Sequence, residues 1–195
     1  LQYSPAAGFM PLRGWLADRY GVAVEGVLVS NGSLQIVEFL SRLLTRPGDV
    51  VFVERPSYDR AIALFRQAAR RVVGVALESD GFQVESLERL LKEEKPRFFY
   101  IIPDFQNPTG VTTSLAKREK LVELAERHDF WILEDNSYRE LRYWGEEVPA
   151  IFSLDSQKVL YLSSFSKVLA PGIRVGYIIG PEHVVSRLAK VAEDT

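Results

Sequence analysis

Short apolar runs of strand length alternate with longer segments of helical period along most of this chain. That alternation is its strongest constraint. The runs at residues 50–54, 98–102 and 131–135 are almost continuously apolar, as strands buried on both faces are. Between them, residues 34–44, the stretch after Tyr58 through Ala69, and residues 84–94 and 114–128 place apolar side chains at helical spacing. A further helix begins near Pro11 and runs to Tyr20, residues 27–29 and 71–77 read as strands, and residues 182–191 again have helical spacing. Strand and helix in alternation predict an α/β protein, a three-layer αβα sandwich around a mostly parallel sheet. One connection breaks the rule. The apolar runs at 158–162 and 174–180 are joined by a segment too short for the dozen or so residues that a parallel crossover needs. The last strand is therefore expected to be antiparallel to its neighbour.

That short connection is also the chemically richest stretch. It reads Ser163-Ser164-Phe165-Ser166-Lys167-Val168-Leu169-Ala170-Pro171-Gly172-Ile173-Arg174. A loop at a strand end is where α/β proteins commonly hold ligands. The hydroxyls of Ser164 and Ser166 can donate to an anion, and Arg174 can add a charge-assisted contact. Lys167 then stands beside that anion as a reactive amine; the plainer reading is a solvated lysine in a polar loop. A second anion cradle is offered where Ser30-Asn31-Gly32-Ser33-Leu34 enters a helix, because the first backbone N–H groups of a helix lack partners. Simple capping by Asn31 or Ser33 is the alternative there.

Composition narrows the class. The 195 residues are 47% hydrophobic and 26% charged, with a formal net charge of −2, so the bulk charge carries no nucleic-acid signature. Cysteine is absent, which excludes disulfides and thiolate metal sites and fits a reducing compartment. With no apolar run of membrane-spanning length and no signal peptide, the expectation is a cytoplasmic protein without a membrane partner. The two histidines, His128 and His183, sit in surface-like helical contexts and are not read as catalytic.

Other strand ends carry polar groups that would converge on one sheet edge: Tyr58 after Pro56-Ser57, Asn107 within Asn107-Pro108-Thr109-Gly110, and Asp135 followed by Tyr138. With these in place the chain resembles the fold-type I pyridoxal-phosphate enzymes, specifically the class I/II aminotransferases. The motifs Asn-Pro-Thr-Gly, Asp-x-x-Tyr and Ser-x-Ser-Lys with a downstream arginine keep the family's order. The resemblance implies pyridoxal 5'-phosphate as cofactor and amino acid and 2-oxo acid as substrates. It gives Lys167 the covalent link to the cofactor aldehyde and the proton transfer at the substrate Cα. Asp135 pairs with the pyridine nitrogen, Asn107 and Tyr138 hydrogen-bond the phenolic oxygen, and Tyr58 stacks on the ring. Gly32, Ser33, Leu34, Ser164, Ser166 and Arg174 form the phosphate cup, Leu34 through its backbone alone, and Tyr3 resembles a tyrosine that reaches the neighbouring subunit's phosphate.

Residues 104–110 and Tyr138-Arg139-Glu140-Leu141 are most similar to the subgroup of 2-aminoadipate and kynurenine-type aminotransferases, with Asn136 where that subgroup often has a second acidic residue. Family members are roughly twice this length. The chain is accordingly expected to be the cofactor-binding large domain, residues 1–195, of a homodimeric enzyme whose N-terminal arm and C-terminal small domain lie outside it. Without those parts it is expected to be poorly active. A second class remains open: the aminotransferase-like effector domain of GntR-type transcription regulators, which typically carry an aromatic residue where Asn107 stands. A lyase, racemase or decarboxylase of the same fold is the third.

Overall fold

The computed structural model describes residues 5–68, 71–155 and 157–193. Its elements follow the predicted alternation. Helix α1 (Met10–Tyr20) leads to β1 (Val27–Ser30), α2 (Ser33–Leu44), β2 (Val50–Arg55), α3 (Asp59–Gln67) and β3 (Arg71–Glu78). Then come β4 (Gly81–Phe82), α4 (Val84–Glu93), β5 (Pro96–Ile101), α5 (Leu115–His128), β6 (Trp131–Asp135) and α6 (Ile151–Leu154), and finally β7 (Val159–Ser164), β8 (Gly176–Ile179) and α7 (Glu182–Glu193).

The strands form one sheet in the order β1-β8-β7-β6-β5-β2-β3-β4. Strands β7, β6, β5, β2 and β3 are mutually parallel. Strand β8 runs antiparallel to β7, as the short connection requires, and it is also antiparallel to β1 on its other side. The two-residue β4 adds a second antiparallel partner at the far edge, pairing Leu77 with Phe82 and Glu78 with Gly81.

Both sheet faces are covered, which is why the central strands need apolar side chains on both sides. On one face Leu16 of α1, Leu87 and Leu91 of α4, Leu121 and Leu124 of α5, and Phe152 of α6 pack on Phe52, Phe99 and Ile132. On the other, Ile36, Phe39 and Leu40 of α2, Phe65 of α3, and Leu188 of α7 pack on Val51, Tyr100, Leu133 and Leu162. Full burial of such a side chain contributes roughly 1.5–3 kcal/mol. Aromatic edges reinforce the second face: Phe65 meets Phe98 and Tyr100 with ring centroids 5.1 and 5.7 Å apart.

Helix α3 ends at Gln67, where Ala68 donates back to the carbonyl of Leu64, and Ala69, the end read from the sequence, lies outside the described residues. Two boundaries depart from the sequence reading. Strand β5 starts at Pro96 and ends at Ile101, leaving Ile102 outside it. Arg174, read as the first residue of the last strand, stands outside β8 in the left-handed region with φ 51°, closing a 3₁₀ turn over Pro171–Ile173. The pairing of β8 starts two residues later at Gly176, so the arginine is free to turn toward the loop.

Candidate active site

Strand direction decides where the polar side chains gather. The C-terminal ends of β2, β5, β6 and β7 lie along one edge of the sheet because these strands are parallel. Strand β8, being antiparallel, starts at that same edge. Its first residue, Gly176, is in register with Ser164 of β7 on one side and Ser30 of β1 on the other. The loop after Ser164, Arg174 and the entry to α2 are thereby brought to one corner.

Glycine makes that corner close-fitting. A Cβ on Gly176 would lie 2.5 Å from the backbone N of Ser33 and from the carbonyl carbon of Gly32. Only a glycine lets the start of α2 settle against β8. Gly32 itself has φ 86° and forms the helix cap without any side-chain capping bond. Capping by Asn31 or Ser33 is therefore not what the structure shows. A Cβ on Gly32 would lie 2.6 Å from Nη2 of Arg174, so the guanidinium rests directly on this glycine, beside the first turn of α2.

One cavity collects ten of the predicted residues: Ser33, Leu34, Tyr58, Asn107, Asp135, Tyr138, Ser164, Ser166, Lys167 and Arg174. Gly32 forms its wall behind Arg174. Tyr3 lies outside the described residues. Sequence reasoning missed two further lining residues, Ile102 and Ser137. An apolar strand end and a serine next to a functional aspartate give no local signal.

Asp135 ends β6 at the cavity floor, almost wholly buried. Tyr100 donates its hydroxyl to Oδ2 at 2.7 Å. Ser137 donates both its hydroxyl (2.7 Å) and its backbone N–H (3.2 Å) to Oδ1. All three donors are neutral. Burial pushes the carboxyl above its ordinary range, and the bonds from Ser137 and Tyr100 oppose that rise without cancelling it. Tyr58 and Tyr138 are both raised, first by burial and then by the negative charge of Asp135. Asn107 donates through Nδ2 to the Tyr138 hydroxyl at 3.3 Å, and the Lys167 ammonium stands 5.7 Å from the centre of the Tyr138 ring.

Behind this lining lies a second buried layer that the sequence did not announce. Glu54 of β2 accepts the backbone N–H of Ile102 at 3.0 Å and a 3.3 Å contact from Gln106 Nε2; its other oxygen has no partner. Burial pushes its carboxyl up to about 8. Glu134, next to Asp135, accepts the N–H groups of Ile151 and Phe152 and the Nδ2 of Asn136, each at 2.8 Å. Both histidines are exposed, His128 at the end of α5 and His183 at the start of α7, away from this cavity.

A mixed, mostly parallel αβα sheet with a lysine, an aspartate and an anion corner along one edge defines a class, and the comparisons agree with it. The sequence profile described as "Aminotransferase class I and II" matches residues 1–195, and the chain belongs to that family. Aromatic-amino-acid aminotransferase 1 of Thermococcus litoralis is 40% identical over 200 residues, covering 96% of this chain and 48% of that protein. The crystal structure of LysN, the alpha-aminoadipate aminotransferase of Thermus thermophilus complexed with N-(5'-phosphopyridoxyl)-L-leucine, superposes with a TM-score of 0.96 at 38% identity. That match covers 99% of this chain and 51% of the other. YdfD of Bacillus subtilis, an uncharacterized HTH-type transcriptional regulator, is 33% identical over 201 residues, covering 99% of this chain and 41% of its own length. The chain thus spans about half the length of the relatives it matches.

Proposed function

We propose that this chain is the cofactor-binding large domain of an aminotransferase that uses pyridoxal 5'-phosphate to move an amino group between an amino acid and a 2-oxo acid. The observation that carries the reading is the single cavity in which Lys167, Asp135, Asn107, Tyr138 and Arg174 converge. Its residues fit the group. The corner where Arg174 rests on Gly32, with Ser164, Ser166 and the start of α2, is a phosphate cradle that any side chain on Gly32 or Gly176 would fill. A buried carboxylate with only neutral donors, as at Asp135, gains most from a cationic partner, which a protonated ring nitrogen supplies. Asn107 and Tyr138 present donors for a phenolic oxygen, and Tyr58 offers a ring face.

When bound, pyridoxal phosphate supplies an aldehyde for covalent attachment and a conjugated ring that accepts electrons. The protein's own side chains do the rest. Lys167 would hold the aldehyde through Nζ and, released when the substrate amine takes its place, would carry the proton from the substrate Cα to the cofactor's aldehyde carbon, first as general base and then as general acid. Asp135 holds a proton on the ring nitrogen, with Tyr100 and Ser137 fixing its carboxylate plane. Arg174 and the serines hold the phosphate and so set the depth at which the reacting atoms meet Lys167.

The same reading makes the whole protein a homodimer, with exposed apolar residues such as Trp15 available for contact with a second copy or another segment. It places the protein in the cytoplasm, supported by the absence of cysteine. Among the described residues no helix is long and apolar enough to cross a membrane. The test is an absorption spectrum with added pyridoxal phosphate. The wild type is expected to develop a visible band that borohydride fixes, and Lys167→Ala to lose it. A band that persists unchanged in Lys167→Ala overturns the assignment of the lysine.

The match to a helix-turn-helix regulator supports a second reading, a cofactor-sensing effector domain. The higher identity to aminotransferases and the presence of Asn107 favour the enzyme. A basic helix-turn-helix segment encoded upstream of Leu1 would reverse that preference.

A further inference from the structure

Asp104 is fully buried on the loop that carries Asn107 and is surrounded by three arginines. Arg118 of α5 forms a fork on it, Nη2 to Oδ1 at 3.1 Å and Nη1 to Oδ2 at 3.2 Å. That bidentate pair alone neutralises the carboxylate. Yet Arg139 also donates to Oδ2 and Arg142 to Oδ1, each at 2.9 Å. Both come from the segment directly after Tyr138. We propose that Asp104 is a positioning residue that fixes Asn107 against Tyr138, by drawing Arg139 and Arg142 onto the Asn107 loop. The inference rests on the cofactor reading above.

Charge balance does not require the extra arginines, so their role lies in geometry. Asp104 precedes Asn107 by three residues, and Arg139 follows Tyr138 immediately. The direct contact between Asn107 and Tyr138 is 3.3 Å, beyond the ordinary range for a hydrogen bond of this kind. Such a contact is too weak to hold two loops in register, whereas two charge-assisted bonds to a buried carboxylate are strong enough. Arg142 adds a second grip, its guanidinium lying 4.7 Å from the centre of the Phe105 ring, two residues before Asn107. Phe105 has φ 53°, a left-handed conformation that such an anchor holds in place. On the loop's other side Gln106 donates to the carbonyl of Pro56 at 2.8 Å, which ties the loop to the chain leading into Tyr58.

The experiment compares the wild type with Arg142→Met, Arg139→Met and Tyr138→Phe, each loaded with pyridoxal phosphate. The readouts are the midpoint pH of the visible band and thermal unfolding. The methionine variants leave Asp104 its Arg118 fork, so the carboxylate is not orphaned. Lys167, Asp135, Tyr58 and Arg174, the titratable and charged groups facing the cavity beside Tyr138, are the same in all four proteins. Donors to a phenolic oxygen favour its ionised form, so loosening them raises the midpoint. Arg142→Met and Arg139→Met are expected to raise it by about half a pH unit or more, in the direction of Tyr138→Phe. An unchanged midpoint overturns the proposal, whether or not the unfolding temperature falls, because a merely structural role moves only the latter. Absence of a band in the wild type overturns the cofactor reading and this inference with it. A wild-type band with unshifted arginine variants overturns this inference alone.

Discussion

Replacing Glu54 by Gln tests how the buried layer behind the cavity is charged. Glu54 is almost wholly inaccessible, and its Oε2 receives the N–H of Ile102 and a weaker contact from Gln106 while Oε1 has no partner. Burial and the nearby charge of Asp135 raise its carboxyl from 4.5 to about 8, with the two donors opposing. Between those values the folded protein keeps a proton that the unfolded chain has lost. Unfolding stability from this group is therefore complete below pH about 4.5 and falls as pH rises through about 8. The difference of 8 − 4.5, about 3.5 units at 1.36 kcal/mol each, sets a loss of up to about 5 kcal/mol. Gln keeps the shape and an acceptor for Ile102 but cannot titrate. Urea unfolding of both proteins across this range, taken as wild type minus variant, cancels what the two proteins share and leaves Glu54 together with its coupling to Asp135. The difference is expected to fall by about 1 kcal/mol per pH unit or more through the middle of the window. A difference that stays flat within about 1 kcal/mol from pH about 5 to 8 refutes the reasoning.

Two other substitutions probe different parts of the site. Gly176→Ala places a Cβ 2.5 Å from backbone atoms of Gly32 and Ser33, so the start of α2 is pushed from β8. A loss of about 1–3 kcal/mol in urea unfolding is expected, with weaker pyridoxal phosphate binding by titration; wild-type affinity would show that the corner is not the phosphate cradle. Asn136→Asp replaces the Nδ2 that donates to Glu134 at 2.8 Å by a second carboxylate oxygen. Stability measured above the carboxylate range is expected to drop by about 2–4 kcal/mol, and much less at pH about 4, where one group holds a proton between them; equal losses at both would contradict this.

The local character of most elements was legible because apolar periodicity is a property of neighbouring residues; β4 and α6, at two and four residues, are too short to show a period and were not read. The strands β2, β5 and β6, the helix α2 and the antiparallel direction of β8 all follow from runs and spacings within short windows. So did the candidate residues at strand ends, since parallel strands must send their C-terminal ends to one edge. Sequence alone therefore determined the layer architecture and which edge would carry the chemistry. Tertiary structure decided what no window contains: the insertion of β8 between β1 and β7, the two-residue β4, and the left-handed turn that frees Arg174 from the strand. It also decided the buried polar partners. Tyr100 reaches Asp135 across 35 positions, Glu54 reaches Ile102 across 48, and Arg142 reaches Asp104 across 38. Such bonds leave no periodic trace, because a buried donor needs only to find an acceptor, wherever along the chain folding has put it.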